Sequence, residues 1–422
     1  MRMLRVRDPF HRGQLAIAAL FCSLGFQYAT WAARIPAIKA DLGLTAAEVG
    51  VLLMAAGVGA AVSFPLVAML MRRFDSRRIA ISSAIGLALM LPALAAAPNF
   101  PVALAVMCFD GFLVGCLNVS MNAQGAALES RHERNAMARL HATFSGGSLL
   151  AALVASGMNA VTSTVAVHFA AAAVILFLLV AYASTGLLTE DRTKEKAQEE
   201  ARESTTKGEK RQEKEGQRKE GQKKGKWALP SRMTLWMCCA MAFGTVTEGA
   251  MNDWSALYLK DVAKASAELA PLGIAVVSGM MVVARLFADG WRSRWGDGRI
   301  VVVGSAVGGV GLALALLSGG LVPALIGFAC VGLGVAAVTP CVYVAAANQG
   351  SDTLTLVAAM GTTGLLAGPP LIGFIAHASS LAWGLGAVAA SALVVSLCGT
   401  RIRWTSPAAA PGTAEEGVLT QG

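Results

Sequence analysis

Charge is scarce in this chain. Only 14% of its 422 residues are Asp, Glu, Lys or Arg, whereas soluble domains carry about 25%. The scarcity is uneven, because Glu190–Lys226 alone holds 23 of the 61 charged residues, 13 basic and 10 acidic. So little charge elsewhere excludes an ordinary soluble domain. Motifs that carry chemistry are also missing. There is no HEXXH, no G-x-S-x-G with a usable His and no His/Asp cluster, so a membrane protease or metalloenzyme would lack its groups. There is no G-x-x-x-x-G-K-[ST] either. Gly221–Lys226 is one residue short and runs into Trp227, which excludes direct use of ATP. The eight cysteines, Cys22, Cys108, Cys116, Cys238, Cys239, Cys330, Cys341 and Cys398, show no metal-ligand spacing. Cys238 and Cys239 would diverge by about 100° on a helix, and all eight read as small packing residues. No cofactor and no metal is expected.

What is abundant is apolar sequence, 55% of the chain, with a mean hydropathy of +0.58. About 20 apolar residues cross a bilayer as a helix. Twelve stretches qualify: 14–35, 46–70, 79–97, 102–127, 141–161, 165–188, 233–257, 269–289, 300–318, 321–346, 354–377 and 381–399. The first follows Arg2, Arg5, Arg7 and Arg12 as a signal peptide would. It then runs on through Trp31 and Arg34 without a cleavage site, so it reads as a retained span. With the N-terminus inside, the cytoplasmic loops collect 30 of the 35 Lys and Arg residues. The outer loops hold Arg34, Lys39, Lys260 and Lys264. That asymmetry puts both termini in the cytoplasm. The net charge of +9 therefore reports topology. It lies in separate loops, which argues against nucleic acid as a partner.

The charged loop separates two halves of six spans. The expected units are an N-terminal six-helix bundle (1–189), a charged cytoplasmic linker (190–230), a C-terminal six-helix bundle (231–405) and a loose cytoplasmic tail (406–422). The linker's Glu190–Lys226 stretch has no large apolar residue to bury, so it is expected to be unstructured or a marginal charged helix. The halves echo each other about 220 residues apart. Trp31 in TWAARIPAI falls against Trp254 in NDWSALYL. In the loops after spans 2 and 8, Arg73 falls against Arg294 and Arg78 against Arg299. Gly115 and Asn122 in span 4 fall against Gly332 and Thr339 in span 10. A duplicated unit joined by a cytoplasmic loop points to a secondary transporter with its site where the repeats meet.

The loop after span 8 reads Ala284-Arg285-Leu286-Phe287-Ala288-Asp289, then Arg292, Arg294, Gly296 and Arg299. It resembles the G-x-x-x-D-R-x-G-R-R loop of the major facilitator superfamily. The first copy departs from the pattern, with Pro65, Arg72 and Asp75 at its Gly, Asp and second Gly positions. Further segments are WAARIPAI in span 1, NVSMNAQGAALE in span 4, LHATFSGGSLLAA in span 5, EGAMNDW in span 7 and GLLAGPPLIG in span 11. These are similar to the fucose-permease-like branch, especially its YbjJ-type bacterial inner-membrane members. The resemblance implies an all-α membrane protein of twelve transmembrane helices in two pseudo-symmetric six-helix bundles. It also implies a location in the bacterial inner membrane and a monomer that takes a small-molecule substrate. In the fucose permease a carboxylate stands where Asn118 stands here. If protons couple transport, the acceptor has moved to Glu248 or Asp110; otherwise the protein is a uniporter.

Several polar residues inside the spans are candidate site groups. A carboxylate in hydrocarbon costs roughly 3 kcal/mol on insertion scales, so it is kept for a reason. Glu248 lies near the midplane of span 7, Asn252 is one turn on along the same face, and Asp253 and Trp254 lie nearer the outer surface. Glu248 suits a proton or substrate site, or else a packing carboxylate. Asp253 suits the same site, or an outer gate with Arg34. Asn118 and Asn122 share a face of span 4 with Asp110 turned away, and they read as substrate ligands or as interhelical glue. His141 opens span 5 as a proton relay or an interfacial residue. Trp31 and Trp254 are either belt anchors or stacking platforms for a sugar-like solute. Arg285 and Asp289, at i and i+4, are expected to pair and, with Arg73 and Arg78, to gate. His168 and His377 read as interface residues. Pro340 in span 10, and Gly364, Gly368, Pro369, Pro370 and Gly373 in span 11, allow kinks or close packing.

Three function classes follow. The first is a secondary transporter of a small polar solute, coupled to protons. The second is a drug or metabolite efflux antiporter, weakened because span 5, SGGSLLAALVASG, lacks the proline of the G-x-x-x-G-P-x-x-G-G run such exporters carry. The third, a membrane-embedded receptor or enzyme, lacks supporting motifs.

Overall fold

The structure is a computed structural model that describes residues 8–134, 136–189 and 230–404, apart from the side chains of Ala138, Asp289 and Ser351. The charged linker expected at 190–230 falls outside these residues up to 229, and so does the tail from 405. Among the described residues there are fourteen helices and no strand. The first half contains α1 (Pro9–Ala32), α2 (Ile35–Asp41), α3 (Ala46–Arg73), α4 (Ser76–Ala95), α5 (Phe100–His132), α6 (Met137–Val161) and α7 (Val165–Ser184). The second contains α8 (Arg232–Asp261), α9 (Leu272–Trp295), α10 (Asp297–Ser318), α11 (Leu321–Val335), α12 (Val338–Ala347), α13 (Ser351–Ala378) and α14 (Leu381–Arg401).

Local sequence sets the ends. The Asp8 carboxylate accepts from the Phe10 N–H and Pro9 opens α1. Thr45 and Glu48 close a capping box on α3. Asn99 caps α5, and Ser231 caps α8. Ten segments are long and apolar enough to cross a bilayer: α1, α3 to α7, α10, the α11–α12 pair, α13 and α14. The other two expected spans, 233–257 and 269–289, are helical as α8 and α9. They fall short on apolarity, since α8 carries Glu248, Asn252 and Asp253 and the apolar part of α9 is the shorter run Leu272–Ala288. The expected span 321–346 breaks at Ala336–Ala337. Pro340 has no N–H to offer the Ala336 carbonyl, and the chain restarts with Cys341 donating to Ala337. By contrast α13 runs through Pro369 and Pro370 as one helix.

The helix ends sort into two sides. At one side Arg12 donates to the Thr185 carbonyl at 2.7 Å, Arg134 to Asp8 at 3.0 Å and Arg77 to the Ser184 carbonyl at 2.9 Å. The α9–α10 corner packs on Trp404 there too, so both ends of the described chain share this side. It is called here the termini end, and the opposite side the far end. Between the halves, α3 packs on α13, α6 on α9, and α1 and α2 on α8. The buried apolar groups show where these contacts lie. Far-end residues of the first half, such as Phe26, Leu53, Met107 and Phe169, belong to one continuous core with the second half. Its termini-end residues, such as Phe10, Leu20, Leu117 and Leu140, form a core of their own. The halves therefore join at the far end and part toward the termini end. The closest far-end approach is the α3–α13 crossing. A Cβ on Gly50 would sit 2.9 Å from the Pro369 carbonyl oxygen, and one on Gly373 would sit 2.7 Å from that of Ala46.

Candidate functional site

Glu248 lies just past the middle of α8, roughly 25 Å from its start. Arg285 of α9 reaches it, with Nη2 at 3.1 Å from Oε1. The other guanidinium nitrogen, Nη1, donates to the Ser145 hydroxyl of α6 in the opposite half. The two charged side chains keep 24% (Arg285) and 27% (Glu248) of their exposure, while Ser145 is buried. Water thus reaches the ion pair. Asn252, one turn along α8, donates to the Glu248 carbonyl at 3.0 Å. His141 is one turn before Ser145 toward the termini end, exposed, with its ring edge-on to Phe21 at 5.0 Å. Arg285, Glu248 and Ser145 therefore meet on the seam between the halves, with Asn252 one turn beyond Glu248 toward the far end and His141 one turn from Ser145 toward the termini end.

The other candidates lie apart from this group. Asn118 is exposed on α5 and accepts from Asn122 at 2.9 Å. Asp110 is buried and takes a 2.6 Å hydrogen bond from Gln27 of α1. Trp31 and Trp254 are 4% and 0% exposed, and neither indole N–H has a partner among the described residues. Their ring faces are covered by protein in this conformation.

The expected Arg34–Asp253 gate is not formed. Arg34 follows the end of α1 and turns to the α6–α7 corner. There it donates to His168 Nδ1 at 3.0 Å and to the Ser163 and Thr162 carbonyls at 3.2 and 3.4 Å. His168 is thereby fully buried, which overturns its reading as an interface residue. Asp253 instead accepts from the Tyr28 hydroxyl across the halves. Lys39 of α2 and Asp261 of α8 make a further far-end bridge at 2.5 Å. The Ser156 hydroxyl and Asn159 amide of α6 donate to the Glu268 and Ala267 carbonyls there. With Arg285–Ser145, these are the hydrogen bonds that join the halves among the described residues.

The Asp289 side chain expected to pair with Arg285 lies outside the described residues. Arg73 lies exposed at the termini end over the Phe74 ring, and Arg78 lies 3.9 Å from Asp75. Sequence reasoning missed Ser145, Gln27 and Tyr28. Ser145 is one turn from His141, and the other two stand out as polar groups before Trp31 in an apolar helix.

A family model described as Major Facilitator Superfamily matches residues 15–352. The chain belongs to this superfamily. An uncharacterized MFS-type transporter from Yersinia pestis is 30% identical over 393 residues, covering 91% of this chain and 94% of that protein. The membrane protein MosC of Rhizobium meliloti is 30% identical over 390 residues, covering 90% and 88%. Among solved structures, the nucleoside transporter NupG is similar at a TM-score of 0.66 and 14% identity, over 93% of this chain and 98% of that one. A bacterial homologue of the human lysosomal transporter Spinster, inward-facing and unoccupied, gives 0.67 at 13% identity, over 95% and 100%. At such identities the structures speak for the fold alone. The superfamily is one of transporters, not enzymes, and the Yersinia pestis relative is named as one. This chain is accordingly a multi-pass membrane protein whose ligand is a small molecule.

Proposed function

We propose that this superfamily member is a secondary active transporter that moves a small polar solute by alternating access, coupled to protons. It works as a monomer in the bacterial inner membrane with both termini in the cytoplasm. Twelve spans form two pseudo-symmetric six-helix bundles. The reciprocal pairing of α3 with α13 and α6 with α9 supports that layout, since each joins the second span of one half to the fifth of the other. The far end is then the outer face, and this conformation opens inward.

The observation that carries the reading is Arg285 bound at once to Glu248 in its own half and to Ser145 in the other. An ion pair on the seam between moving halves is sensitive to protonation. Protonating Glu248 removes the attraction that holds Arg285 and leaves its Nη2 side free to bind solute. Loss of that proton restores the pair and expels what took its place. A group that alternates between a proton and a cation in this way couples the two fluxes. Beside the pair, Ser145 offers a hydroxyl and Asn252 an amide for hydrogen bonding, and His141 lies one turn from Ser145. That chemistry suits an uncharged, sugar-like solute. Asn118, Asn122 and Asp110 are assigned to the first half's side of the same pathway.

The test is uptake into proteoliposomes under an imposed pH gradient. The solute is first found by a thermal-shift screen of sugars, polyols and amino acids. Glu248→Gln is expected to abolish uphill accumulation and to spare exchange. Undiminished pH-driven uptake by that variant would remove Glu248 from the coupling role.

A further inference from the structure

A second site lies far from the Arg285–Glu248 pair. At the termini end, the α9–α10 corner and the chain leaving α14 border an open cleft of about 590 Å³. That size falls within the range of small-molecule pockets. Arg294, Trp295, Arg299, Val303 and Trp404 are among the residues lining it. Its one carboxylate, Asp297, is already engaged by Arg292, with nitrogen–oxygen distances of 2.8 and 3.1 Å. Arg294 and Arg299 are exposed and have no hydrogen bond or ion pair among the described residues. The first half treats its corresponding corner differently. There Arg77 donates to the Ser184 carbonyl, Arg78 faces Asp75 and Arg73 lies over the Phe74 ring.

The cleft is two-sided in character. Its polar side offers two unneutralised guanidinium groups, which match the oxygens of a phosphate. Its apolar side leads away along α10. Val303 is exposed, and so are Val307, Val310, Leu314 and Leu317 at helical spacing beyond it. They make one apolar stripe from the cleft along the membrane-spanning helix. Trp295 stands half-exposed at the boundary, where indoles favour the membrane interface. A free phosphate would use the arginines alone, while the stripe is the lipid-facing side of a membrane-spanning helix. A phosphate that carries acyl chains uses both.

We propose that this cleft binds the phosphate headgroup of an anionic phospholipid, with its acyl chains lying along the Val303–Leu317 stripe of α10.

The experiment is native mass spectrometry of the full-length protein in detergent, titrated with phosphatidylglycerol or phosphatidylcholine. Thermal unfolding with each lipid and with inorganic phosphate runs beside it. Phosphatidylglycerol is expected to bind more tightly than phosphatidylcholine and to raise the melting temperature, while inorganic phosphate leaves it unchanged. Each of Arg294→Gln and Arg299→Gln should weaken phosphatidylglycerol binding about fivefold, and both together about thirtyfold. The Arg294→Lys/Arg299→Lys pair should retain most of it. If the double glutamine variant does not fold, the single variants and the lysine pair carry the same test. Equal binding of the two lipids, or undiminished phosphatidylglycerol binding in the glutamine variants, would overturn the site. A melting shift from inorganic phosphate as large as that from phosphatidylglycerol would overturn its assignment to lipid.

Discussion

Arg285 holds two partners that move independently if the halves move. Its bond to Glu248 lies within the second half, and its bond to Ser145 crosses to the first. Removing the cation alone leaves a carboxylate at mid-depth with no counter-charge. Removing both charges leaves two amides that can bond to each other. Arg285→Gln is therefore expected to destabilise the protein by about 1–3 kcal/mol, below the cost of a fully buried pair because a quarter of each side chain is exposed. Arg285→Gln/Glu248→Gln should lose less than the two single changes summed. Thermal unfolding in detergent measures the difference, and strict additivity would mean that the pair is not coupled. Glu248 and Arg285 were each legible in the sequence as charges inside apolar runs. Their partnership was not, because Arg285 has Asp289 one turn away on its own helix and Glu248 is on a different one. Ser145 was hidden for another reason. Serine is common in membrane helices, where its hydroxyl can bond to its own backbone. The repeat aligned Trp31 with Trp254, but equivalence along the chain says nothing about which way a side chain faces, and both proved buried.

At the scale of the helices, apolar runs were enough to find ten segments long and apolar enough to cross a bilayer, because the bilayer sets their length, while α8 and α9 fall short on apolarity. The bend in the tenth was legible in Pro340, while α13 absorbs two prolines without a break. What a run of residues does not reveal is the partner across the halves. Gly50 and Gly373 gave no sign of meeting, yet their backbones set the α3–α13 crossing. A side chain on Gly50 has no room unless the helices separate. Gly50→Leu should therefore disfavour the far-end-closed arrangement. In a cysteine-free background, Lys39→Cys should then react faster with a membrane-impermeant maleimide added outside. Gly50→Ala should produce a smaller change in the same direction. Unchanged labelling in Gly50→Leu would mean that this crossing does not hold the far end shut.

For the molecule as a whole, the far end is held by many small terms and one charged bridge. Tyr28–Asp253, the Ser156 contact and the shared apolar core are shielded or partly shielded from water, while the Asn159 contact is exposed. Lys39 and Asp261 keep 28% and 37% of their exposure, so solvent screens them and their pair is worth about 0.2–1 kcal/mol. A bridge of that size cannot close the far end alone, but it can bias a balance that two conformations share. Lys39→Gln is expected to shift the balance toward far-end opening by about fivefold at most, with the shift shrinking at high salt. The exchanged pair Lys39→Asp/Asp261→Lys should restore the parent behaviour, since the attraction depends on opposite signs and not on which half carries the cation. Outside-added maleimide reacting with a cysteine at Asn159, which also lies on the far-end seam, would report the population in each variant. Recovery in the exchanged pair distinguishes a bridge that sets conformational bias from two charges that only keep the loops soluble, for which the exchange would change nothing relative to Lys39→Gln.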